Sequence, residues 1–148
     1  MRIKLDEGAK MPTKAYETDA GFDIYSREDK VVPARGSAIF DTGVHIELPK
    51  VYFYRKEFGL TFLTAGMLKS KSGLNVKHNI TSEGVVDIGY NGSIVAKLYN
   101  HGDTDYAVKK GDKITQLCIV PILPVELELV DELVGGERGK NGFGSSGK

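Results

Sequence analysis

The sequence predicts an all-β domain built from short strands joined by frequent turns. Helical periodicity is scarce, whereas alternation of apolar and polar residues, the pattern of a half-buried strand, is common. Turn signals such as Asn91-Gly92 and Lys110-Gly111-Asp112 recur at short intervals. These observations favour a β-barrel or a β-sandwich.

The predicted strands share the alternating pattern and, in chain order, cover 44–48, 94–99, 114–121 and 125–129. The segment 58–68 fits either a short helix or another strand, and its periodicity does not decide between them. The strand 114–121 is apolar on both faces, which predicts that Cys118 is a small buried hydrophobic residue.

Composition excludes several classes of protein. The 148 residues fit one domain, and 20 basic against 20 acidic side chains leave no basic field for coating a nucleic acid. A single cysteine cannot form an internal disulfide, and three separated histidines predict no protein-held transition metal. No apolar run is long enough to span a bilayer. We therefore expect a cytoplasmic protein with neither a nucleic-acid polymer nor a membrane as partner.

Two acid-free segments, 58–82 and 138–148, carry lysine or arginine and suit a small anion. The second lies in a glycine-rich tail, 135–148, which holds six of the 18 glycines. One interpretation is a flexible terminus. The other is a ligand-covering arm, in which Arg138 binds phosphate, Phe143 covers a flat group and the run Gly144-Ser145-Ser146-Gly147 cradles phosphate oxygens.

Five ordered segments together resemble the motifs of the trimeric dUTP pyrophosphatase (dUTPase) family. They are Ala20–Ser26, Ser70–Leu74, Gly84–Gly92, Gly111–Leu117 and Arg138–Gly147. The sequence departs from the family pattern at a few positions, where Ser70-Lys71 replaces Pro-Arg, Asn91 replaces a frequent Arg, and Asn141 and Ser146 replace Gly and Thr. The resemblance implies a dUTPase-like β-clip, or distorted jelly-roll barrel, over 1–134 and a flexible C-terminal arm over 135–148.

The resemblance also implies an activity, the hydrolysis of dUTP to dUMP and pyrophosphate by in-line attack of water at the α-phosphorus. This reaction keeps uracil out of DNA and supplies dUMP for thymidylate synthesis. Asp87 is expected to activate the water, with Mg²⁺ held by the substrate phosphates and water rather than by the protein. The family is a homotrimer with shared active sites, so the arm is expected to close over the site of a neighbouring subunit.

The site residues that the resemblance implies fall into three groups. Those expected at the phosphates are Lys71, Ser72, Gly73, Gln116, Arg138, Gly144, Ser145 and Ser146. Those expected at uracil and deoxyribose are Thr81, Gly84, Val85, Val86, Tyr90, Val95 and Phe143. Asp23 and Asp112 are expected to support the site.

Alternatives remain open at this stage. Asp87 fits a turn-initiating residue and Tyr90 a cross-strand core aromatic. A relative of dCTP deaminase would need a glutamate base, for which Glu83 is the candidate, and a non-catalytic nucleotide-sensing module would keep the fold alone. The segment 50–69 is longer than the family's usual connection, and its aromatic residues predict a packed excursion that suits a partner contact.

Overall fold

The computed structural model describes residues 1–49 and 62–136, which form ten strands and one short helix. In chain order these are β1 (Arg2–Leu5), β2 (Gly21–Tyr25), β3 (Lys30–Val32), β4 (Ser37–Asp41), β5 (Val44–Glu47), β6 (Leu63–Lys69), α1 (Ser72–His78), β7 (Ile80–Val86), β8 (Val95–Asn100), β9 (Tyr106–Val108) and β10 (Lys113–Ile122). The all-β prediction is confirmed.

Six of the strands form one curled sheet in the order β2-β10-β6-β7-β8-β4, and every neighbouring pair in it is antiparallel. Strand β10 is central to one half, because it pairs with β2 on one edge and with β6 on the other. Two small ribbons, β1-β5 and β3-β9, complete the described part. Strands distant in sequence therefore meet side by side, which brings the motif segments together.

The apolar positions of the strands build two buried clusters. Ile24, Leu68, Val86 and Leu117 belong to the first cluster, which the six-stranded sheet shares with β5. Phe40, Ile80 and Leu98 are among the residues of the second cluster, at the other half of the sheet. The predicted alternation is confirmed in 44–48 and 94–99, whose apolar residues Val44, Ile46, Leu48, Ile94, Ala96 and Leu98 are all buried.

The structure settles some expectations and corrects others. From Leu63 onward the ambiguous segment is a strand, whereas α1 was not predicted, because its seven residues bury no side chain and so have no apolar stripe. The predicted strand 125–129 is wrong, since this stretch has no regular structure and Leu127 and Leu129 are 98% and 100% exposed. Cys118 is half-buried rather than buried.

Part of the sequence prediction lies outside the described residues. This holds for 50–61 of the aromatic excursion and for 137–148 of the arm. Within the described ranges, none of the helices has the length and apolar character needed to cross a membrane.

Adjacent residues of β4 offer a matched test of the second cluster. Phe40 is fully buried, whereas Ile39 is 54% exposed. Phe40→Ala should lower the free energy of unfolding by about 3–5 kcal/mol, because it leaves a large cavity. Ile39→Ala should change it by less than about 1 kcal/mol. Urea denaturation followed by circular dichroism measures both, and equal losses would contradict this packing.

Candidate active site

The buried carboxylate of Asp23 joins three segments that are distant in sequence. Asp23 lies in the middle of β2, and its two oxygens accept hydrogen bonds from the ammonium groups of Lys71, just before α1, and Lys113, at the start of β10. The Lys113 Nζ lies 2.7 Å from Asp23 Oδ2. One acid therefore neutralises two lysines and ties β2, β10 and the entry of α1 together.

The local backbone explains how Lys113 reaches this carboxylate. The register between β10 and β2 shifts between Lys113 and Thr115, as in a β-bulge. A bulge changes the direction in which a side chain leaves the strand, and here it lets Lys113 reach Asp23. Burial alone would raise the pKa of Asp23, but the hydrogen bonds and charges of Lys113 and Lys71 outweigh it and lower that pKa below 3.8. The same hydrogen bond raises the pKa of Lys113.

Gln116 lies beside this ion pair, because it is opposite Asp23 on one edge of β10 and Lys69 on the other. Its side-chain amide donates to the carbonyl of Ser70, 3.0 Å away. The hydroxyl of Ser70 in turn bonds both backbone groups of Ser82 on β7. These contacts fix the turn between β6 and α1, where Lys71, Ser72 and Gly73 stand.

Ser72 and Gly73 are exposed in the first turn of α1, where backbone N–H groups have no partner within the helix. A Cβ atom at Gly73 would meet nothing within 4 Å, so the space above this turn is open. Lys71, expected at the phosphates, is already paired with Asp23 and only a quarter of its side chain is exposed. The structure thus brings together Asp23, Lys71, Ser72, Gly73 and Gln116.

A second set of predicted residues lies on the hairpin of β7 and β8. These strands pair only at Ile80–Ser82, opposite Leu98–Asn100, and then separate. Beyond that point β7 pairs with β6 and β8 pairs with β4, both on their outer edges. The inner edges, 83–86 and 95–97, therefore face each other with backbone groups available to a flat polar ligand. Thr81, Gly84, Val85, Val86 and Val95 all stand on these strands.

The side chains of this hairpin have distinct environments. Val86 is buried in the first cluster, whereas Val85 and Val95 are exposed. Gly84 lies against Leu68, and a Cβ atom there would be 3.1 Å from its Cδ1. The hydroxyl of Thr81 bonds His101 Nε2 at 2.8 Å.

The loop 87–94 connects the two strands and presents Asp87 and Tyr90. The carbonyl of Asp87 accepts from the Tyr90 N–H at 3.1 Å, and Gly89 adopts a positive φ of 91°, so the chain turns tightly after β7. Within the described ranges the Asp87 carboxylate is exposed and makes no hydrogen bond or ion pair. Asp87 is thus a turn residue whose acid remains available for chemistry.

Tyr90 is not a core aromatic, since 47% of it is exposed. Its hydroxyl donates to the Ser93 carbonyl at 2.9 Å, and its ring covers Gly92, where a Cβ atom would be 2.5 Å from the tyrosine oxygen. Gly92 is therefore needed for this ring position. A cavity of about 270 Å³ beside the ring is lined by Glu47, Leu48, Ile88, Gly89 and Asn91.

One chain does not bring Asp87 and Lys71 together. Asp87 follows the pair Val86–Gly66, whereas Lys71 lies beyond the pair Glu83–Lys69 at the opposite end of the β6–β7 ladder. Three residues of strand separate those pairs, which is about 10 Å. Asp112 belongs to neither set, because its carboxylate accepts from the Lys109 N–H at 2.9 Å and its carbonyl accepts from the Ser26 N–H, closing the turn before β10.

Sequence reasoning missed Lys113 and Ser70, whose roles depend on the register of β10 and on the approach of β7. Of the predicted set, Arg138, Phe143, Gly144, Ser145 and Ser146 lie outside the described residues. Among residues 1–49 and 62–136, no group of three or more His, Cys, Asp or Glu side chains is placed to hold a metal ion.

Comparison with known proteins identifies the family to which these motifs belong. The dUTPase family model matches residues 7–147. A deoxyuridine 5'-triphosphate nucleotidohydrolase of Clostridium acetobutylicum is 42% identical over 147 residues, covering 97% of this chain and 93% of the relative. One of Kluyveromyces lactis is 40% identical, covering 95% and 88%.

Solved structures show the same fold. The dUTPase of Staphylococcus bacteriophage 80alpha with dUpNHpp has a TM-score of 0.84 and 30% identity, covering 99% of this chain and 98% of that one. A variant dUTPase from phage phi11 of S. aureus, described with a structural Mg(II) ion, has a TM-score of 0.74 and 27% identity, covering 90% and 98%.

The Asp23 ion pair predicts a specific pH dependence of stability. Because the pKa of Asp23 is lowered below 3.8, its contribution is present above that pH and is lost as the pH falls through the lowered value. Asp23→Asn should therefore cost about 2 kcal/mol at pH 7, and the difference from the native chain should shrink below pH 4.

Asp103→Asn is the matched control, since the Asp103–Arg35 pair is exposed and its loss should matter less. Urea titrations at several pH values measure the free energy of unfolding. A difference between native and Asp23→Asn chains that is absent at pH 7, or constant down to pH 3, would contradict the account.

Proposed function

This chain belongs to the dUTPase family, and we propose that it hydrolyses dUTP to dUMP and pyrophosphate with Asp87 as the base. The observation that carries this proposal is the opened β7–β8 hairpin, directly followed by an exposed carboxylate with no partner in the described part of the chain. The fold and the curated relatives support the same reaction.

The opened hairpin suits uracil, because rigid backbone donors and acceptors read the edge of a planar base. Cytosine presents the reverse pattern at its amino group and ring nitrogen, so fixed backbone groups would be left unpaired against it. The thymine methyl would need more space than uracil, and β7 and β8 are fixed by their outer pairing and cannot move apart to provide it. Tyr90, positioned over Gly92 and bonded to Ser93, forms a flat surface for deoxyribose that would oppose a 2'-hydroxyl.

The chemical step needs a water in line with the bond to be broken. The water oxygen forms a bond to the α-phosphorus, its proton passes to the Asp87 carboxylate, and the bond from the α-phosphorus to the bridging oxygen breaks. Pyrophosphate leaves with that electron pair. General-base assistance of this kind contributes about 10²–10⁴-fold to the rate.

The Asp23 region suits the phosphates. Lys71, Gln116 and the first turn of α1 offer an ammonium group, a side-chain amide and the backbone N–H groups of Ser72 and Gly73. Lys71 keeps the charge of the usual arginine but not its two-pronged geometry, so it contacts one phosphate oxygen while Asp23 holds it. The arm, 135–148, supplies further contacts in this proposal. Its residues at the phosphates are Arg138, Gly144, Ser145 and Ser146, and Phe143 covers the uracil.

Magnesium fits the proposed site as an ion that would be held by the substrate phosphates and water, since Mg²⁺ keeps several waters and binds substrate phosphates. Asp87 is then not a ligand of the ion and stays available as the base. When bound, the ion supplies neutralisation of the triphosphate charge.

We also propose that the active form is a homotrimer with shared sites. Asp87 and Lys71 lie at opposite ends of the β6–β7 ladder. We therefore infer that one triphosphate contacts Asp87 of one copy and Lys71 of another. The stretch 123–134 supports assembly as well, because its apolar residues Val125, Leu127, Leu129, Leu133 and Val134 are largely exposed in one chain. An isolated chain rarely leaves such a series exposed to water.

The deaminase alternative is not favoured. Glu83 forms an ion pair with Lys69 at 2.7 Å, and the relatives are nucleotidohydrolases. A nucleotide-sensing module without catalysis is not favoured either, since the chain keeps Asp87, Tyr90 and Arg138 together.

Asp87→Asn tests the role of the base. The amide cannot take the proton, so turnover of dUTP should fall at least about 100-fold. Binding of a non-hydrolysable dUTP analogue, measured by calorimetry, should remain within a few-fold of native. Asp103→Asn, at an exposed aspartate paired with Arg35, is the control and should leave turnover unchanged.

Pyrophosphate release from dUTP, dTTP, dCTP and UTP with Mg²⁺ is measured in the same assay. Equal turnover of dTTP, or ammonia release from dCTP, would overturn the proposed reaction. Full activity of Asp87→Asn would remove Asp87 from its role while leaving the reaction in place.

A mixing experiment tests the arm and the shared site together. A chain ending at Gly136 should stay folded and lose turnover, because it lacks Arg138 and Phe143. The truncated chain and full-length Asp87→Asn are each expected to be inactive. Unfolded together and refolded as mixed trimers, they should regain activity, since one copy supplies Asp87 and another supplies the arm. Native chain refolded in the same way is the control, and a mixture that stays inactive beside it would contradict shared sites.

A further inference from the structure

A histidine outside the motif segments connects the end of β1 with the loop 87–94. His45 lies on β5 opposite Lys4 of β1. Its Nδ1 is 2.9 Å from the carbonyl oxygen of Asn91, in the loop 87–94, and its Nε2 is 3.1 Å from Asp6 Oδ2. Only 18% of its side chain is exposed.

Both partners of this imidazole are acceptors. A carbonyl oxygen and an ionised carboxylate cannot donate, so each ring nitrogen must carry a hydrogen to satisfy both contacts. Neutral histidine has one N–H and would lose one of the two bonds. The geometry therefore requires the imidazolium form.

The loop 87–94 is held at a second point, Ser93, by a network of charged side chains that also includes Asp6. The Ser93 hydroxyl donates to Asp41 Oδ1, and Arg27 pairs with Asp41 Oδ2 at 2.5 Å. Arg27 also approaches Asp6 at 3.9 Å. The end of the loop is thus held at Asn91 and at Ser93, on either side of the Gly92 that Tyr90 covers.

We propose that His45 is a positioning residue for the proposed hydrolysis, whose imidazolium holds Asn91 and so fixes Tyr90 for deoxyribose binding. This inference rests on the proposed function. Asp87 is anchored from the other side, since it directly follows β7. Loss of the hydrogen bond from His45 to Asn91 therefore loosens the Tyr90 end of the loop more than the Asp87 end. It raises KM for dUTP and changes kcat little.

The surrounding charges favour the imidazolium. The hydrogen bond to Asn91 and the contact with Asp6 raise the pKa of His45 above 6.5, whereas desolvation and the Lys4 charge oppose this. The bond from His45 likewise lowers the pKa of Asp6. Arg2 and Glu47 line the same groove and pair with each other at 2.5 Å. The two hydrogen bonds of His45 are thus both present below pH 6.5, and one is lost as the pH rises through the raised pKa of His45.

Two variants and a control separate this role from a merely structural one. In the native chain KM for dUTP should rise about fivefold as the pH rises through the raised pKa of His45, with kcat changing less than about twofold. His45→Gln should show the high KM at every pH in that range. Asp6→Asn can donate its amide N–H to neutral Nε2, so it should keep the low KM and lose the pH dependence. His78→Gln, the same change at an exposed histidine on α1, should follow the native profile.

Long-range ¹H–¹⁵N NMR of the full chain tests the inference without turnover. Both ring nitrogens of His45 should be protonated at pH 6, and Tyr90 resonances should shift with the His45 titration. A neutral imidazole at pH 6, or native and His45→Gln chains with the same KM profile, would overturn the proposal. A doubly protonated His45 in a chain that does not hydrolyse dUTP would instead contradict the proposed function alone.

Discussion

The site depends first on the pairing of one buried carboxylate with two lysines. Asp23 alone would be costly to bury, and Lys71 and Lys113 offset that cost while drawing the first, second and fourth motif segments to one point. The order of the sheet makes this possible, because β10 stands between β2 and β6. Motifs that are separated by dozens of residues in the chain thus become one surface, which is the proposed phosphate site.

The third motif meets a different requirement of the proposed function, which is to present backbone groups to a base while the sheet stays paired. Strands β7 and β8 each keep one paired edge, to β6 and β4, while their inner edges separate after Ser82. Because the outer edges stay paired, the gap between the inner edges can stay open within a packed sheet. Its distance from the Asp23 region explains why assembly of several copies is part of the proposed function.

Sequence reasoning reached the fold class, because alternation of apolar and polar residues is a local property. The family resemblance named the site residues, and their roles stay a prediction. Sequence reasoning also placed a strand at 125–129, where the alternation is real but no neighbouring strand in the described chain pairs with it. It missed α1, which is short and has no fully buried residue, and it missed Lys113 and His45. Their partners come from a bulge and from a cross-strand register, which depend on the tertiary structure rather than on nearby residues.

The central claim of the proposed function is that water attacks the α-phosphorus of dUTP. Single-turnover hydrolysis in ¹⁸O-labelled water, followed by mass spectrometry of both products, tests it most directly. The account predicts one ¹⁸O atom in the phosphate of dUMP and none in pyrophosphate, since the new bond forms at the α-phosphorus. Label in pyrophosphate would show attack at the β-phosphorus and would contradict the account.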